Sequence, residues 1–421
     1  MADADKVNWQ TGKQEIIDIN SLTNQLKRVD EYAVSPDGDK IAVLGQAEDD
    51  TFTAIVNGEK WPESFELAWY LRFTPHGHLT CLARIDDMWT LVVDGKPWEN
   101  RFEFIWNPQF AKNSPAIALA YKSEFEYGVV VDDKPWENRF QAMRDFTLSP
   151  DGKHTAATVQ VEPLGEADVF KFFEGVWSVA VDGKAWDSKY INTWRPIFSP
   201  DNSSVAAEIR TDIADYSLSV DSRDWSQKYG CIWEPVFSPD GSKVVAPVRH
   251  EGAWRMAANG ELIWKTRFSQ LWKPQFAPGG KKMAAIGSVE FGRWTIVIDD
   301  KPWGQTFRDM VLEPVFSADG SRVAAVVKDE NRWSICADGK TWHQDFDMVW
   351  DPVFSADSAH VLARVEKDGK YHLAADGSLK MGGFEKFWDP VVEPDGNNLL
   401  LRYIEDGKYI REVKKVSDLL G

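Results

Sequence analysis

Trp233-Glu-Pro-Val-Phe-Ser-Pro-Asp-Gly241 is the stretch on which the fold turns, because the chain writes it again and again. It stands as Trp194-Arg-Pro-Ile-Phe-Ser-Pro-Asp-Asn202, Trp272-Lys-Pro-Gln-Phe-Ala-Pro-Gly-Gly280, Trp350-Asp-Pro-Val-Phe-Ser-Ala-Asp-Ser358 and Trp388-Asp-Pro-Val-Val-Glu-Pro-Asp-Gly396. Weaker copies, counted at the Phe position, fall at Val34, Phe73, Phe110, Leu148 and Phe316. Ten units result, spaced by 37 to 40 residues except for one gap of 50 between Leu148 and Phe198. Self-similarity at a fixed period of this size marks an array of supersecondary units.

Each unit has the same internal order. A Trp-x-Pro-x-Phe strand runs into a Ser-Pro-Asp-Gly turn, and a small-residue strand such as Val205-Ala-Ala207 or Val323-Ala-Ala-Val-Val327 follows. A third strand, for example Val176-Trp-Ser-Val-Ala-Val181, ends in Asp-Gly-Lys or Asp-Asp-Lys. That is a two-residue hairpin signal, since the acid and the glycine accept positive φ. The fourth strand is expected to begin at a second Trp, as in Lys96-Pro-Trp-Glu-Asn-Arg-Phe102. Four short antiparallel strands repeating every ~40 residues predict propeller blades, and no 3.6-residue periodicity of any length marks a helix. The expected fold is all-β.

The register absorbs the most unusual feature of the composition. Of 421 residues 21 are Trp, and all but Trp9 fall at the start of a first strand (Trp69), on a third strand (Trp89) or at the start of a fourth (Trp98). Rings locked to a repeat are expected to pack between blades or close blade corners, where a wide flat surface fills volume and the N–H finds a partner. Asp residues recur in the same way, in the first turn (Asp201, Asp240, Asp319, Asp395) and in the hairpin after the third strand (Asp94, Asp182, Asp338). They are read as turn formers, because Asp bonds its own backbone and accepts turn geometry.

The last unit stops after a third strand at Tyr409 to Val413, so its outer strand is missing, while Glu15-Ile-Ile-Asp-Ile19 is a spare strand-like run ahead of the first unit. Pairing of the two would close the fold and remove two free sheet edges. The expected organisation is an N-terminal segment with a closing strand (1–30), propeller repeats (31–415) and a C-terminal tail (416–421). One large propeller of about ten blades is expected. Two five-bladed propellers are the alternative, although the junction from Trp225 to Trp233 between the fifth and sixth units carries no linker.

Composition narrows the function. Hydrophobic residues make up 43% and charged ones 27%, a globular balance, and the formal net charge is −18. Such a charge repels a phosphate backbone, so nucleic acid is not an expected partner. Cys81, Cys231 and Cys336 are isolated and odd in number, which disfavours a disulfide framework, an iron–sulfur site and covalent haem. They are read as small core residues. The seven His are scattered, His76-Gly-His78 being the one close pair. No phosphate loop, GxSxG elbow or HExxH occurs, so no catalytic, cofactor-binding or metal-ligating residue is expected. The acidic start Met-Ala-Asp-Ala-Asp-Lys and the lack of a long apolar run predict neither a signal peptide nor a membrane span, and hence a cytoplasmic chain.

Two groups of residues stand out as candidates for interaction. The position after the first-strand Trp reads Glu31, Tyr70, Asn107, Asp145, Arg195, Glu234, Lys273, Glu313, Asp351 and Asp389 through the ten units. It is expected to form a mostly acidic ring at a channel mouth, serving either as a solvated rim that satisfies turn groups or as a docking or ion-attracting surface. The second group is Phe170, Phe172 and Phe173, on the insertion from Glu162 to Gly175 that stretches the fourth spacing. These aromatics either tuck under the blade edge or form a partner anchor.

The Ser-Pro-Asp-Gly units resemble the TolB-like class of propeller repeat more than WD repeats, since the Gly-His and Trp-Asp signatures are absent. A narrower resemblance rests on Trp-x-Pro-x-Phe-Ser-Pro-Asp-Gly and Asp-Gly-Lys-Pro-Trp recurring along the chain. In these motifs the chain is similar to the tryptophan-rich D subunit of the transmembrane redox (Tmc) complex of sulfate-reducing bacteria. The resemblance implies a non-catalytic scaffold or docking subunit of a membrane-associated electron-transfer complex. It would be peripheral to the inner membrane on the cytoplasmic side, with cytochrome, iron–sulfur and membrane subunits as partners and no cofactor of its own. The competing expectation is a propeller enzyme or small-ligand-binding protein that uses the channel mouth.

Overall fold

The computed structural model describes residues 7–165, 168–394, 396 and 398–420. Asp395 and the acidic first six residues therefore lie outside the described residues. The fold is all-β, 53% strand and 4% helix, arranged as a 10-bladed β-propeller of four-stranded antiparallel sheets. Two compact units make it up, one continuous (Trp106–Pro314) and one assembled from Met1–Ile105 and Val315–Gly421. Repeats 5 and 6 both fall inside the continuous unit, so the chain does not break between them as two five-bladed propellers would require.

Repeat 5 shows how the sequence builds a blade. The second strand, Val205–Arg210, pairs with Tyr216–Val220, and that strand pairs with Arg223–Asp224. Val205, Ala206, Ala207 and Ile209 are buried, small side chains that let neighbouring sheets approach to close packing. In the first turn the buried Ser199 hydroxyl donates to Asp201 at 2.5 Å while its oxygen accepts the Ser204 N–H at 3.0 Å. Ser149 with Asp151, Ser238 with Asp240 and Ser317 with Asp319 repeat the arrangement. Hydroxyl and N–H donors hold the Asp201 and Asp240 carboxyls down at about 2. In the hairpin, Asp221 sits at φ 49 and accepts the Val205 N–H at 2.8 Å, and Asp182, Asp299 and Asp338 do the same for their own second strands. The register-locked acids among the described residues are thus turn formers, as their sequence positions imply.

Two expectations need correction. The first-strand segment is not one strand in repeats 5, 6, 8, 9 and 10 but two short pieces, such as Asn192–Thr193 and Ile197–Phe198 or Cys231–Ile232 and Val236–Phe237. The proline two residues after the Trp has no N–H to give the ladder, and the residue between them takes φ 42 at Glu234, where the strand is split, and φ 52 at Lys273, where Gln270–Phe276 stays one strand with a register shift. The fourth strand, in turn, ends before the second Trp. It is Lys96–Pro97 in repeat 2 and Lys184–Ala185 in repeat 4. Proline is tolerated at this outer edge because no further strand asks it for a donor. The chain then bulges through Trp98, whose N–H reaches Leu91 O at 2.8 Å, and touches the third strand again at the bridge between Trp89 and Phe102.

The Trp set divides by position. Trp61 lies beneath the hairpin of the next repeat, where a Cβ added to Gly95 (φ 79) would come within 3.1 Å of the indole. Trp136 meets Gly183, Trp225 meets Gly260 and Trp342 meets Gly377 in the same way. The expected packing between blades holds for this group, and Trp136 also donates Nε1–H to Thr155 Oγ1 at 2.9 Å. First-strand Trp residues behave differently. They stack on the aromatic that opens the third strand of their own repeat, as in Trp233 with Trp254 at 4.8 Å and Trp194 with Tyr216 at 5.8 Å between ring centroids. Trp69 and Trp233 remain exposed.

Within the discontinuous unit, Gly12–Asp18 pairs antiparallel with Lys408–Lys415, from Gly12 opposite Val413 to Asp18 opposite Lys408. The closing strand exists, but it begins at Gly12 and gives way after Asp18 to a short helix, Asn20–Thr23. Repeat 10 also packs on repeat 1, since the Tyr409 hydroxyl donates to Gly38 O at 2.9 Å and Arg402 Nη1 donates to Ser35 O at 3.1 Å. The tail is a short helix, Val416–Leu420, with Val416 and Leu419 buried against repeat 10. No helix of the described residues is long and apolar enough to cross a membrane.

Candidate functional site

A well-defined recess of about 770 Å³ lies in the continuous unit, along the first strands of repeats 4 to 8. Its wall includes Asp145, Arg195, Glu234, Lys273 and Glu313, five of the residues that the repeat register marks after the first-strand Trp. The other three charged members, Glu31, Asp351 and Asp389, belong to the discontinuous unit. Tyr216 opens a third strand and Cys231 a first strand, so the recess lies toward the end of these blades at which the second and third strands join.

Departure from the ladder accounts for two of the acids at this position, Glu31 and Glu234. A residue that turns out of the strand leaves backbone N–H groups without a ladder partner, and a neighbouring carboxylate can accept them. Glu31 accepts Tyr70 N–H at 2.6 Å and Leu71 N–H at 3.0 Å from the next repeat. Glu234 accepts Lys273 N–H at 3.0 Å, and the Lys273 ammonium bridges Glu234 at 3.1 Å and Glu313 at 2.9 Å. In repeats 9 and 10, Asp389 pairs with Arg364 at 3.2 Å and its carbonyl accepts from Arg402 at 2.8 Å. Arg195 reaches the Thr147 hydroxyl at 3.3 Å. Glu31 and Glu234 are thereby committed to bulged backbone of the next repeat, and Glu313 and Asp389 to ion pairs.

Glu208 is the residue of the recess that register reasoning missed. It lies on the second strand, accepts Glu234 N–H at 2.5 Å through its carboxylate and Trp194 N–H at 3.1 Å through its backbone carbonyl. Burial, with the neighbouring Glu234 charge, pushes its carboxyl up to about 7 against the pull of that N–H donor. A signal was present in the sequence. The glutamate interrupts the otherwise small and apolar run Val205-Ala-Ala-Glu-Ile209. Tyr216 and Trp233 supply aromatic walls, and Cys231 is partly exposed there instead of lying in the core, unlike Cys81 and Cys336. Burial pushes the Cys336 thiol up to about 11.

The phenylalanine group is divided too. A short helix, Val169–Glu174, carries it, capped by Asp168, which accepts Lys171 N–H at 3.0 Å. Phe170 is 87% exposed and Phe173 is exposed, while Phe172 is half-buried with its ring 5.6 Å from that of Phe173. Glu166 and Ala167 of the same insertion lie outside the described residues. The insertion presents its aromatics instead of tucking them away. Phe125 at 83%, Ile213 at 62% and Phe291 at 86% exposure occupy the corresponding connections between second and third strands in repeats 3, 5 and 7. Sequence reading overlooked these, because each is a single large side chain beside an acidic residue in a short connection. The same connections in the discontinuous unit read Asp86-Asp87, Glu330-Asn331 and Asp406-Gly407.

Three of the scattered histidines share one structural place after the first turn, where they pair with the hairpin Asp. These are His78 with Asp94 at 2.7 Å, His154 with Asp182 at 2.7 Å and His360 with Asp376 at 2.6 Å. Among the described residues no group of three His, Cys, Asp or Glu is placed to hold a metal ion.

No family model matches the chain, and no curated protein does. Among solved structures it is similar to one described as "Crystal structure of the eukaryotic initiation factor", at 13% identity and a TM-score of 0.44, over 79% of this chain and 95% of that one. A likeness of that degree carries no argument about what this chain does.

Proposed function

We propose that the chain is a non-catalytic docking subunit of a membrane-associated electron-transfer complex, attached on the cytoplasmic side through cytochrome, iron–sulfur and membrane subunits. The observation that carries this reading is the set of exposed apolar tips, Phe125, Phe170, Ile213 and Phe291, on one compact unit. Large apolar side chains held out on hairpins are characteristic of surfaces that a partner covers. The narrower identification with the tryptophan-rich D subunit of the Tmc complex belongs to the same proposal and rests on the Trp-x-Pro-x-Phe-Ser-Pro-Asp-Gly repeat. Tagged protein isolated from gently solubilised native membranes should bring haem- and iron–sulfur-bearing subunits with it, read by visible spectrum and mass spectrometry. Recovery of the chain alone would overturn the reading.

A second reading, a small-ligand-binding protein, is favoured by the recess, whose volume of about 770 Å³ falls in the range of small-molecule sites.

A further inference from the structure

The blades of this chain are near copies, so one blade shows what another is shaped to hold. In repeat 9 the guanidinium of Arg364 lies 4.0 Å from the centroid of the Trp350 ring. It is also 3.2 Å from Asp389, the acid after the first-strand Trp of the next repeat, and it donates to Phe387 O at 2.9 Å. A planar cation between an indole face and a carboxylate is favourable on both sides. Arg364 occupies a defined column, the second-strand residue whose carbonyl accepts the N–H of the first-strand Trp, here Trp350. Arg402 fills that column in repeat 10, where its carbonyl accepts Trp388 N–H.

In repeat 5 the column carries Glu208, and its carbonyl accepts Trp194 N–H. The remaining parts are in place, with Trp194 as the indole and Glu234 as the acid of the next repeat. The recess opens in front of these three residues. Its wall holds four carboxyl groups, Asp145, Glu208, Glu234 and Glu313, against the cations Arg195 and Lys273. Lys273 is already bound between Glu234 and Glu313. Repeat 5 thus has an acid where repeats 9 and 10 have an arginine and repeat 6 has Pro247, and it supplies no cation of its own from this column.

We propose that this recess is a guanidinium-binding site, in which the group stacks on Trp194 and bonds to Glu208 and Glu234. The inference does not depend on the docking role, and either can fail alone. Two sources share the chemistry, a free small guanidine and an arginine side chain on a polypeptide. Because the Glu208 carboxyl titrates near 7, the site gains charge as pH rises through neutrality. The titratable and charged groups that line the recess with it are Tyr216, Cys231, Glu234, Lys273, Arg195, Asp145 and Glu313.

Calorimetric titration of the full chain with agmatine and with acetyl-Gly-Arg-Gly-amide tests the proposal, with acetyl-Gly-Gln-Gly-amide as the neutral control. At least one guanidinium compound should bind, about tenfold more weakly to Glu208→Gln, with affinity rising several-fold from pH 6 to 8 in the native chain alone. Glu208→Arg, which restores the repeat 9 arrangement, should abolish binding while the melting curve stays cooperative. Equal affinity for agmatine and peptide identifies a small guanidine, and a clear preference for the peptide identifies a polypeptide arginine. No binding of either at roughly 10 mM, equal binding of the neutral peptide, or a pH profile unaltered by Glu208→Gln overturns the site. If Glu208→Arg does not fold, the glutamine variant and its pH profile decide.

Discussion

The Glu31 carboxylate accepts the Tyr70 N–H at 2.6 Å, joining the first repeat to the second through a backbone group at the bulge of its own strand, Leu67–Phe73. Tyr70 has φ 64, an unusual conformation for a bulky residue, and the same carboxylate takes Leu71 N–H at 3.0 Å. Glu31→Ala would strand both donors in a partly buried seam, at a cost of about 1–3 kcal/mol. Glu31→Gln keeps a single carbonyl acceptor and should cost less. Scanning calorimetry of the two variants checks the order, and an alanine variant that melts with the native chain would show that water replaces the carboxylate without loss.

Removal of residues 1–25 takes away the Gly12–Asp18 strand and uncovers the edge of Lys408–Lys415. An uncovered edge both forfeits ladder hydrogen bonds and templates association. The truncated chain should melt well below the full one and aggregate at lower temperature, followed by light scattering during heating. Identical melting of the two would mean that the pairing contributes nothing to stability.

Much of the fold was legible because a propeller repeats its own instructions. The Ser-Pro-Asp turn, the Asp-Gly hairpin and the spare strand before the first unit each point to one local structure, and each is found. The recess was only half legible. Asp145, Arg195, Glu234, Lys273 and Glu313 share a register position, so a repeat alignment finds them, but which of them gather around one cavity depends on tertiary packing. Glu208 escaped because it lies off the grammar, in a strand read as uniformly small and apolar. The first strands and the position of the fourth were misread for a local reason. Proline and local bulges disturb the ladder at places where the apolar pattern runs on unbroken.

Gly95 and Trp61 report on packing between repeats. At φ 79 a non-glycine residue is strained, and a Cβ there would press within 3.1 Å of the indole. Gly95→Ala suffers both penalties and should destabilise by about 1–3 kcal/mol. Trp61→Leu relieves the contact and leaves the strain, so the double variant should be less destabilised than the sum of the singles. Additive losses, measured by chemical denaturation, would show that the hairpin and the ring do not touch in solution.

Stability should also depend on Glu208. Its folded-state carboxyl titrates near 7, above the value of 4.5 for an unburied glutamate. A raised carboxyl favours the folded state while protonated, so its contribution is complete below about 4.5 and is lost as pH climbs through about 7. Glu208→Gln mimics the protonated form. Relative to the native chain it should gain stability as pH rises from 5 to 8, by on the order of 1–3 kcal/mol. Melting curves across that interval check the sign, and a pH-independent difference would mean that Glu208 ionises normally in the folded chain.

The exposed tips offer the sharpest separation of role from stability. Phe125, Phe170 and Phe291 stand 83%, 87% and 86% exposed, so changing each to Ser removes little buried area and should leave the melting temperature within about one degree of native. If these side chains seat a partner, the triple variant should lose most of the haem- and iron–sulfur-bearing material that co-purifies with the native chain. Hot-spot aromatics typically carry 2 kcal/mol or more each, which corresponds to about a thirtyfold loss per residue. A charge reversal at Asp86 and Asp87 supplies the control, since that hairpin belongs to the compact unit whose tips are polar. Equal recovery by native and triple-variant chains would remove the tips from the interface. Loss confined to the Asp86 and Asp87 control would move the partner to the other unit.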